Sequence, residues 1–202
     1  MKLARFVELV TYTPSPLTFL ISQTFILNLS APFIPQFFGN QVSQILPFTD
    51  VVIGNEAEAE SWATASNYPD AVKYLPGIAK AIAILPKNNP ARPRVVVFTQ
   101  GAQSTVLVTS EKPDSPQIFP VHALTDDQII DTNGAGDAFA GGFIGALVAG
   151  KNLEEAVEAG HKLGGMCVQQ VSNLTVYHIT LFPTSFTSQV GPQYKWPKIQ
   201  IL

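Results

Sequence analysis

The stretch DTNGAGDAFAGG, Asp131 to Gly142, places polar side chains, a Gly-Ala-Gly step and a carboxylate directly before a run of helical character. Gly134, Ala135 and Gly136 are small enough for neighbouring backbone N–H groups to converge on an anion. A helix beginning near Asp137 would add its positive end to that cradle. Asp137 would then sit where the helix dipole favours a carboxylate, able to take the proton of an attacking hydroxyl. The chemistry these types suggest is phosphoryl transfer, with Gly134 to Gly136 around the phosphate and Asp137 as base at the rim. The competing reading is a helix-cap carboxylate following a tight turn.

Two other loops carry compatible residues. Asn55 and Glu58, spaced N-x-x-E in an acid-rich helix start, can offer an amide oxygen and a carboxylate to a hydrated magnesium ion. Acids that merely complement the helix dipole are the plainer account of that pair. Thr99-Gln100-Gly101 supplies a hydroxyl and a close-approach glycine suited to phosphate, although such turns are common. His161 falls in the helix after the cradle, within reach of a nucleotide base, yet a lone helical histidine is more often a packing or surface residue. Phe33, just after a strand and Pro32, can stack on a flat ligand.

These loops need a scaffold, and the chain repeats one grammar that provides it. TFILNLSAP alternates Phe25, Leu27 and Leu29 and reads as a strand stopped by Pro32, with a polar loop after it. DVVIG is a strand feeding the helix NEAEAESWATA through Asn55. A helical stretch AVKYLPGIAKAIAIL leads to RVVVFTQG, a third strand with a charged entry. Alternating strand and helix implies a mostly parallel sheet covered on both faces, whose ligand loops lie beyond the carboxyl ends of the strands. STVLVTS and QIFPVHAL read as short strands of a local antiparallel excursion. In the cradle helix Phe139, Phe143 and Leu147 recur every four residues, with Gly141, Gly142 and Gly145 permitting close approach. The last helix is capped by Asn152, with Glu155 three residues on.

Bulk properties narrow the partners. A chain of 202 residues that is 46% hydrophobic and 13% charged is globular, and a net charge of -3 gathers neither nucleic acid nor anionic membrane. LTFLISQTFILNL is interrupted by polar residues and falls short of a membrane span. The single cysteine, Cys167, excludes an internal disulfide and reads as a lone buried thiol in a reducing compartment.

DTNGAGDAFAGGF resembles the second signature of the ribokinase-like, or pfkB, carbohydrate and nucleoside kinases. FILNLSAPFIPQFF, VVIGNEAEAESWA, VVVFTQG and EAGHKLGG resemble the adenosine-phosphorylating branch of that family rather than its sugar kinases, from about Thr24 to Val171 and again at VGPQYKWP. The resemblance implies an α/β fold, ribokinase-like and three-layer α/β/α. It implies transfer of the γ-phosphoryl group of ATP to the 5'-hydroxyl of adenosine, with Mg2+, in a monomeric protein of purine salvage in the cytoplasm and nucleus. It makes Asp137 the catalytic base and Asn133, Gly134, Ala135 and Gly136 the anion hole. Asn55 and Glu58 would organise metal and phosphate, Phe33 would bind the nucleoside, and Thr99, Gly101 and His161 would lie on the ATP side.

Two departures shape the expectation for the whole chain. Residues 1–23 do not resemble the family portion that carries its first strands, its small lid, a Gly-Gly signature and an arginine near the phosphates. Residues 24–202 then form the C-terminal part of the kinase domain, interrupted at 172–189 by SNLTVYHITLFPTSFTSQ. The Gln-Val repeated on either side of that insertion matches a retained intron, which transcript reads running from Val171 directly to Gly191 would support and continuous coverage would exclude. Two alternatives stay open at this point: a non-catalytic nucleotide-binding remnant of the same fold, and another sugar or nucleoside kinase of the family.

Overall fold

The protein is represented by a computed structural model, which describes residues 24–68, 74–122 and 124–170. The unmatched segment 1–23 and the insertion at 172–189 lie outside the described residues, as do His178 and the VGPQYKWP stretch.

Strands β1 (Ile26–Asn28), β2 (Val51–Asn55) and β3 (Val95–Thr99) run parallel, in the register Asn28 to Ile53 and Asn55 to Thr99. β4 (Thr105–Thr109) and β5 (Gln117–Phe119) continue the sheet antiparallel, in the spatial order β1-β2-β3-β4-β5. The helices are α1 (Phe33–Ile45), α2 (Glu56–Ala65), α3 (Leu75–Ala83), α4 (Ala135–Val148) and α5 (Leu153–Val168).

Because strand side chains alternate between faces, one continuous apolar run supplies two cores. Val52, Val96, Phe98, Val106 and Val108 point to the side covered by α1, α2 and α3, where Val42, Trp62, Ile78 and Ile82 complete the packing. Val51, Ile53, Val95, Val97 and Leu107 point to the other side, against Phe139 and Phe143 of α4 and Ala156 and Val157 of α5. The result is the three-layer α/β/α arrangement expected from the alternating grammar, with the antiparallel excursion at one end of the sheet.

One element departs from expectation. The polar loop after Pro32 is the helix α1, kinked at Phe38 (φ -119°, ψ 27°). Its buried positions, Pro35, Val42 and Ile45, keep helical spacing, but exposed Phe33, Phe37 and Phe38 spread apolar residues around it and blur the stripe. α4 is buried on one side only. Phe139 and Phe143 are enclosed, whereas Val148 is exposed.

α4 and α5 approach through glycine. A Cβ on Gly142 would lie 2.5 Å from the carbonyl oxygen of Ala159, and one on Gly160 would lie 2.7 Å from the Phe139 ring. Gly141, by contrast, faces open space. At the amino ends of the parallel strands Arg94, fully buried, ties the scaffold together by donating to five main-chain carbonyls.

Candidate functional site

The carboxyl ends of β1, β2 and β3 share one sheet edge, so the residues that follow them share it too. Beyond β1, Ser30 turns the chain in left-handed backbone (φ 65°), with its N–H donating to Asn28 Oδ1 at 3.1 Å. Phe33 follows as the first residue of α1 and is 51% exposed. Ser61 Oγ of α2 donates to the Pro32 carbonyl at 2.5 Å and fixes where that helix starts.

Beyond β2, Asn55 and Glu58 form a reciprocal cap on α2. Asn55 Oδ1 accepts from the Glu58 N–H at 2.9 Å, and Glu58 Oε2 accepts from the Asn55 N–H at 3.1 Å. Asn55 Nδ2 also donates to Glu58 Oε1 at 3.0 Å. The carboxylate is tucked inward, which is possible because residue 54 is glycine: a Cβ there would come within 2.9 Å of Glu58 Oε2. Burial pushes the Glu58 carboxyl above its ordinary value; hydrogen bonding from Asn55 opposes the shift, while repulsion from Glu56 and Asp137 adds to it. That repulsion places the charge of Asp137 within electrostatic reach of the β2–α2 turn.

The helix α5 carries the same motif with the opposite outcome. Asn152 and Glu155 make an identical reciprocal cap, but on an exposed surface, where Lys151 holds the Glu155 carboxyl below its ordinary range. N-x-x-E is therefore a capping device wherever it occurs here. Only the copy at Asn55 is sunk beside other carboxylates.

Beyond β3, the Thr99 hydroxyl donates to the Gly54 carbonyl at 3.4 Å, tying this turn to the previous one. Gly101 takes left-handed backbone (φ 54°) with open space where a side chain would be.

The fourth loop, DTNG, leads into α4. Asp131 Oδ1 accepts from the Asn133 N–H at 2.9 Å, and Gly134 is the N-cap in left-handed backbone (φ 78°). No side chain caps this helix, unlike α2 and α5. Its first-turn N–H groups therefore have no side-chain acceptor, and that of Ala135 donates to the Thr132 carbonyl at 3.3 Å. Open space surrounds the position of a Gly136 Cβ, and Asp137 is exposed in the same turn. An acid at the third helical position makes a reciprocal cap in α2 and α5 but none in α4, so the helix-cap account of Asp137 loses its geometry.

His161 sits deeper than a ligand contact on the rim would. Its Nε2 lies 2.8 Å from the hydroxyl of fully buried Thr105, and its ring tilts against Phe139 at 5.7 Å. Burial, with His122 nearby, lowers its pKa from the ordinary value. The structure thus sets the β2–α2 and β3 turns side by side and packs His161 against Phe139 of α4. Thr105 was not singled out by sequence, and neither was the role of Arg94. A charged residue opening a continuous apolar strand was the available signal for the latter.

Among the described residues no cluster of three or more His, Cys, Asp or Glu side chains forms a metal cage. A hard, hydrated cation asks for less: a few carboxylate or amide oxygens and room for water. Glu58, Asn55 and Asp137 supply that oxygen chemistry, and a cation there would offset the burial and the repulsion that together raise Glu58.

The sequence matches the pfkB family carbohydrate kinase family over residues 19–177, a few residues beyond Thr24 to Val171 at each end. It is 53% identical over 181 residues to the adenosine kinase of Schizophyllum commune, covering 90% of this chain and 47% of that protein. Among solved structures it resembles Anopheles gambiae adenosine kinase in complex with P1,P4-di(adenosine-5) tetraphosphate, at TM-score 0.71 and 39% identity, over 74% of this chain and 43% of that one. It also resembles Schistosoma mansoni adenosine kinase in complex with 2-fluoroadenosine, at TM-score 0.75 and 32% identity, over 86% of this chain and 48% of the other. The chain spans about half the length of the relatives it matches.

Proposed function

Because this chain belongs to the pfkB carbohydrate kinase family, we propose that it carries the phosphoryl-transfer half of an adenosine kinase, an ATP:nucleoside 5'-phosphotransferase. In the reaction the 5'-oxygen of adenosine bonds to the γ-phosphorus of ATP and the bond from that phosphorus to the β,γ-bridging oxygen breaks. The products are AMP and ADP. Asp137 takes the proton of the 5'-hydroxyl. Within the 133–136 cradle the Gly134 and Gly136 N–H groups, with the positive end of α4, stabilise charge on the transferring group, where most of the catalytic demand lies; the N–H groups of Asn133 and Ala135 brace the loop itself.

Magnesium, when bound, supplies charge neutralisation of the phosphate oxygens. Glu58 and Asn55 would hold it through water, since their capping bonds already occupy part of each side chain. Phe33 stacks on the nucleoside, and Thr99, Gly101 and His161 bound the ATP side, His161 from below rather than by direct contact. The observation that carries this reading is the uncapped, glycine-entered first turn of α4 with Asp137 exposed on it.

The test is AMP formation by the purified chain with magnesium-ATP and adenosine, beside Asp137→Ala. Loss of a general base should lower turnover by roughly a hundred- to ten-thousandfold while ATP binding persists. Equal turnover by the two proteins removes Asp137 from the base role. ATP binding with no AMP from the unaltered chain would identify a nucleotide-binding remnant instead.

A further inference from the structure

The cradle loop is not self-supporting, because its main chain rests on the last turn of α5. The Val168 carbonyl accepts from the N–H groups of both Ile130, at 2.8 Å, and Asp131, at 3.2 Å. That carbonyl is among the last of its helix, which have no acceptor role inside it and carry the negative end of the dipole. One residue earlier, the Cys167 thiol donates to the Asn133 carbonyl at 3.5 Å and lies 3.7 Å from where a Gly134 Cβ would be. One turn earlier, a Cβ on Gly164 would lie 3.4 Å from the Ala135 carbonyl. The final turn of α5 thus meets the loop before, at and after its left-handed glycine.

We propose that the C-terminal turn of α5 positions the phosphate cradle, with Cys167 as the side chain that sets the height of Asn133 and Gly134. This rests on the reading that the 131–137 loop receives a phosphoryl group. Cys167 is a positioning residue: it is 7% exposed and acts through the backbone it supports. Gly134, at φ 78°, sets the direction of the N–H groups that follow, and because glycine yields readily, a bulkier neighbour would turn them away. A β-branched side chain at 167 should lift the loop, whereas serine is no larger than cysteine and keeps a donor for the Asn133 carbonyl.

The test uses the full chain, with amide hydrogen exchange and binding of magnesium tripolyphosphate as readouts. In the unaltered protein the Ile130 and Asp131 amides should exchange together with the last turn of α5. Cys167→Val should speed exchange across 130–136 by roughly tenfold, as expected for one weakened hydrogen bond, and weaken tripolyphosphate binding by a similar factor. Exchange in α3 should not change, and Cys167→Ser should restore both readouts. The proposal is overturned if Ile130 and Asp131 exchange as fast as the exposed 111–116 turn, or if Cys167→Val leaves the loop unchanged. If the unaltered chain binds no tripolyphosphate, the phosphate reading fails while the exchange data still decide the clamp. If Cys167→Val does not fold, the Ile130 and Asp131 amides of the unaltered chain decide it.

Discussion

Replacing Arg94 with lysine should cost this protein a large part of its stability, although charge is conserved. Arg94 Nε donates to Thr49 O at 3.2 Å, Nη1 to Ile82 O at 2.9 Å and Leu85 O at 2.7 Å, and Nη2 to Leu46 O at 2.6 Å and Pro86 O at 3.0 Å. All five N–H groups of the guanidinium are used, and the residue is 0% exposed. The acceptors come from the C-terminal ends of α1 and α3 and the segments just beyond them, where helix dipoles favour a cation. An ammonium has three N–H groups, so at least two of these carbonyls, three of which are in buried hydrogen bonds, lose their donor. At about 1–3 kcal/mol for each orphaned group, Arg94→Lys should destabilise by about 2–6 kcal/mol, against a typical total of about 5–15 kcal/mol. Urea unfolding followed through the fluorescence of buried Trp62 measures this, with the soluble fraction as a second readout. Lys80→Gln, which breaks only the exposed pair with Asp114, serves as a control expected within about 0.5 kcal/mol of the parent. A loss below about 1 kcal/mol for Arg94→Lys would refute the view that this guanidinium fastens the helix ends to the sheet.

The contact of α4 with α5 gives a paired prediction. Gly142→Ala must separate the helices because its Cβ meets the Ala159 carbonyl at 2.5 Å, so its unfolding midpoint should fall. Gly141→Ala one position away has open space and should gain about 0.5–1 kcal/mol from helix propensity; equal effects would mean that the helices are not so tightly apposed. The pH dependence of stability should carry two opposed contributions. His161 is lowered in the folded state, so its share of stability is present above its unfolded value of 6.5 and is lost as pH falls toward the folded value. Glu58 is raised, so its share is present below 4.5 and is lost as pH rises through the folded value. Thermal melts across this range should show His161→Gln flattening the acid-side decline; an unchanged profile would place the titrating group elsewhere.

The sheet was legible because each of its parallel strands is a short apolar run with a turn at its carboxyl end, and the turn residues are themselves the candidate site. The cap at Asn152 was legible for the same local reason, whereas at Asn55 only the start of a helix was. α1 was not, because its aromatics at Phe33, Phe37 and Phe38 remain exposed and its kink breaks the period that marks a helix. Arg94 was visible only as a charged strand entry. Its value lies in five carbonyls that are distant in sequence, which no local pattern encodes.

The two N-x-x-E motifs show why position, rather than spacing, separates chemistry from capping. Both pairs make the same two reciprocal bonds between side chain and main chain. At Glu155 water and Lys151 stabilise the charge, and the motif does no more than start a helix. At Glu58 a glycine on the preceding strand lets the carboxylate sink beside Phe98, and burial first, then the nearby charges of Glu56 and Asp137, make its ionised form costly. A group held in an unfavourable state of charge gains most from an arriving cation, and this one lies within electrostatic reach of the exposed acid on α4. The cradle is built by the complementary economy: α4 forgoes a side-chain cap, and the donors left open are supported from behind by α5. On the proposed reading, an anion site here beside carboxylates that would favour a cation forms the electrostatic frame for transfer of a phosphoryl group.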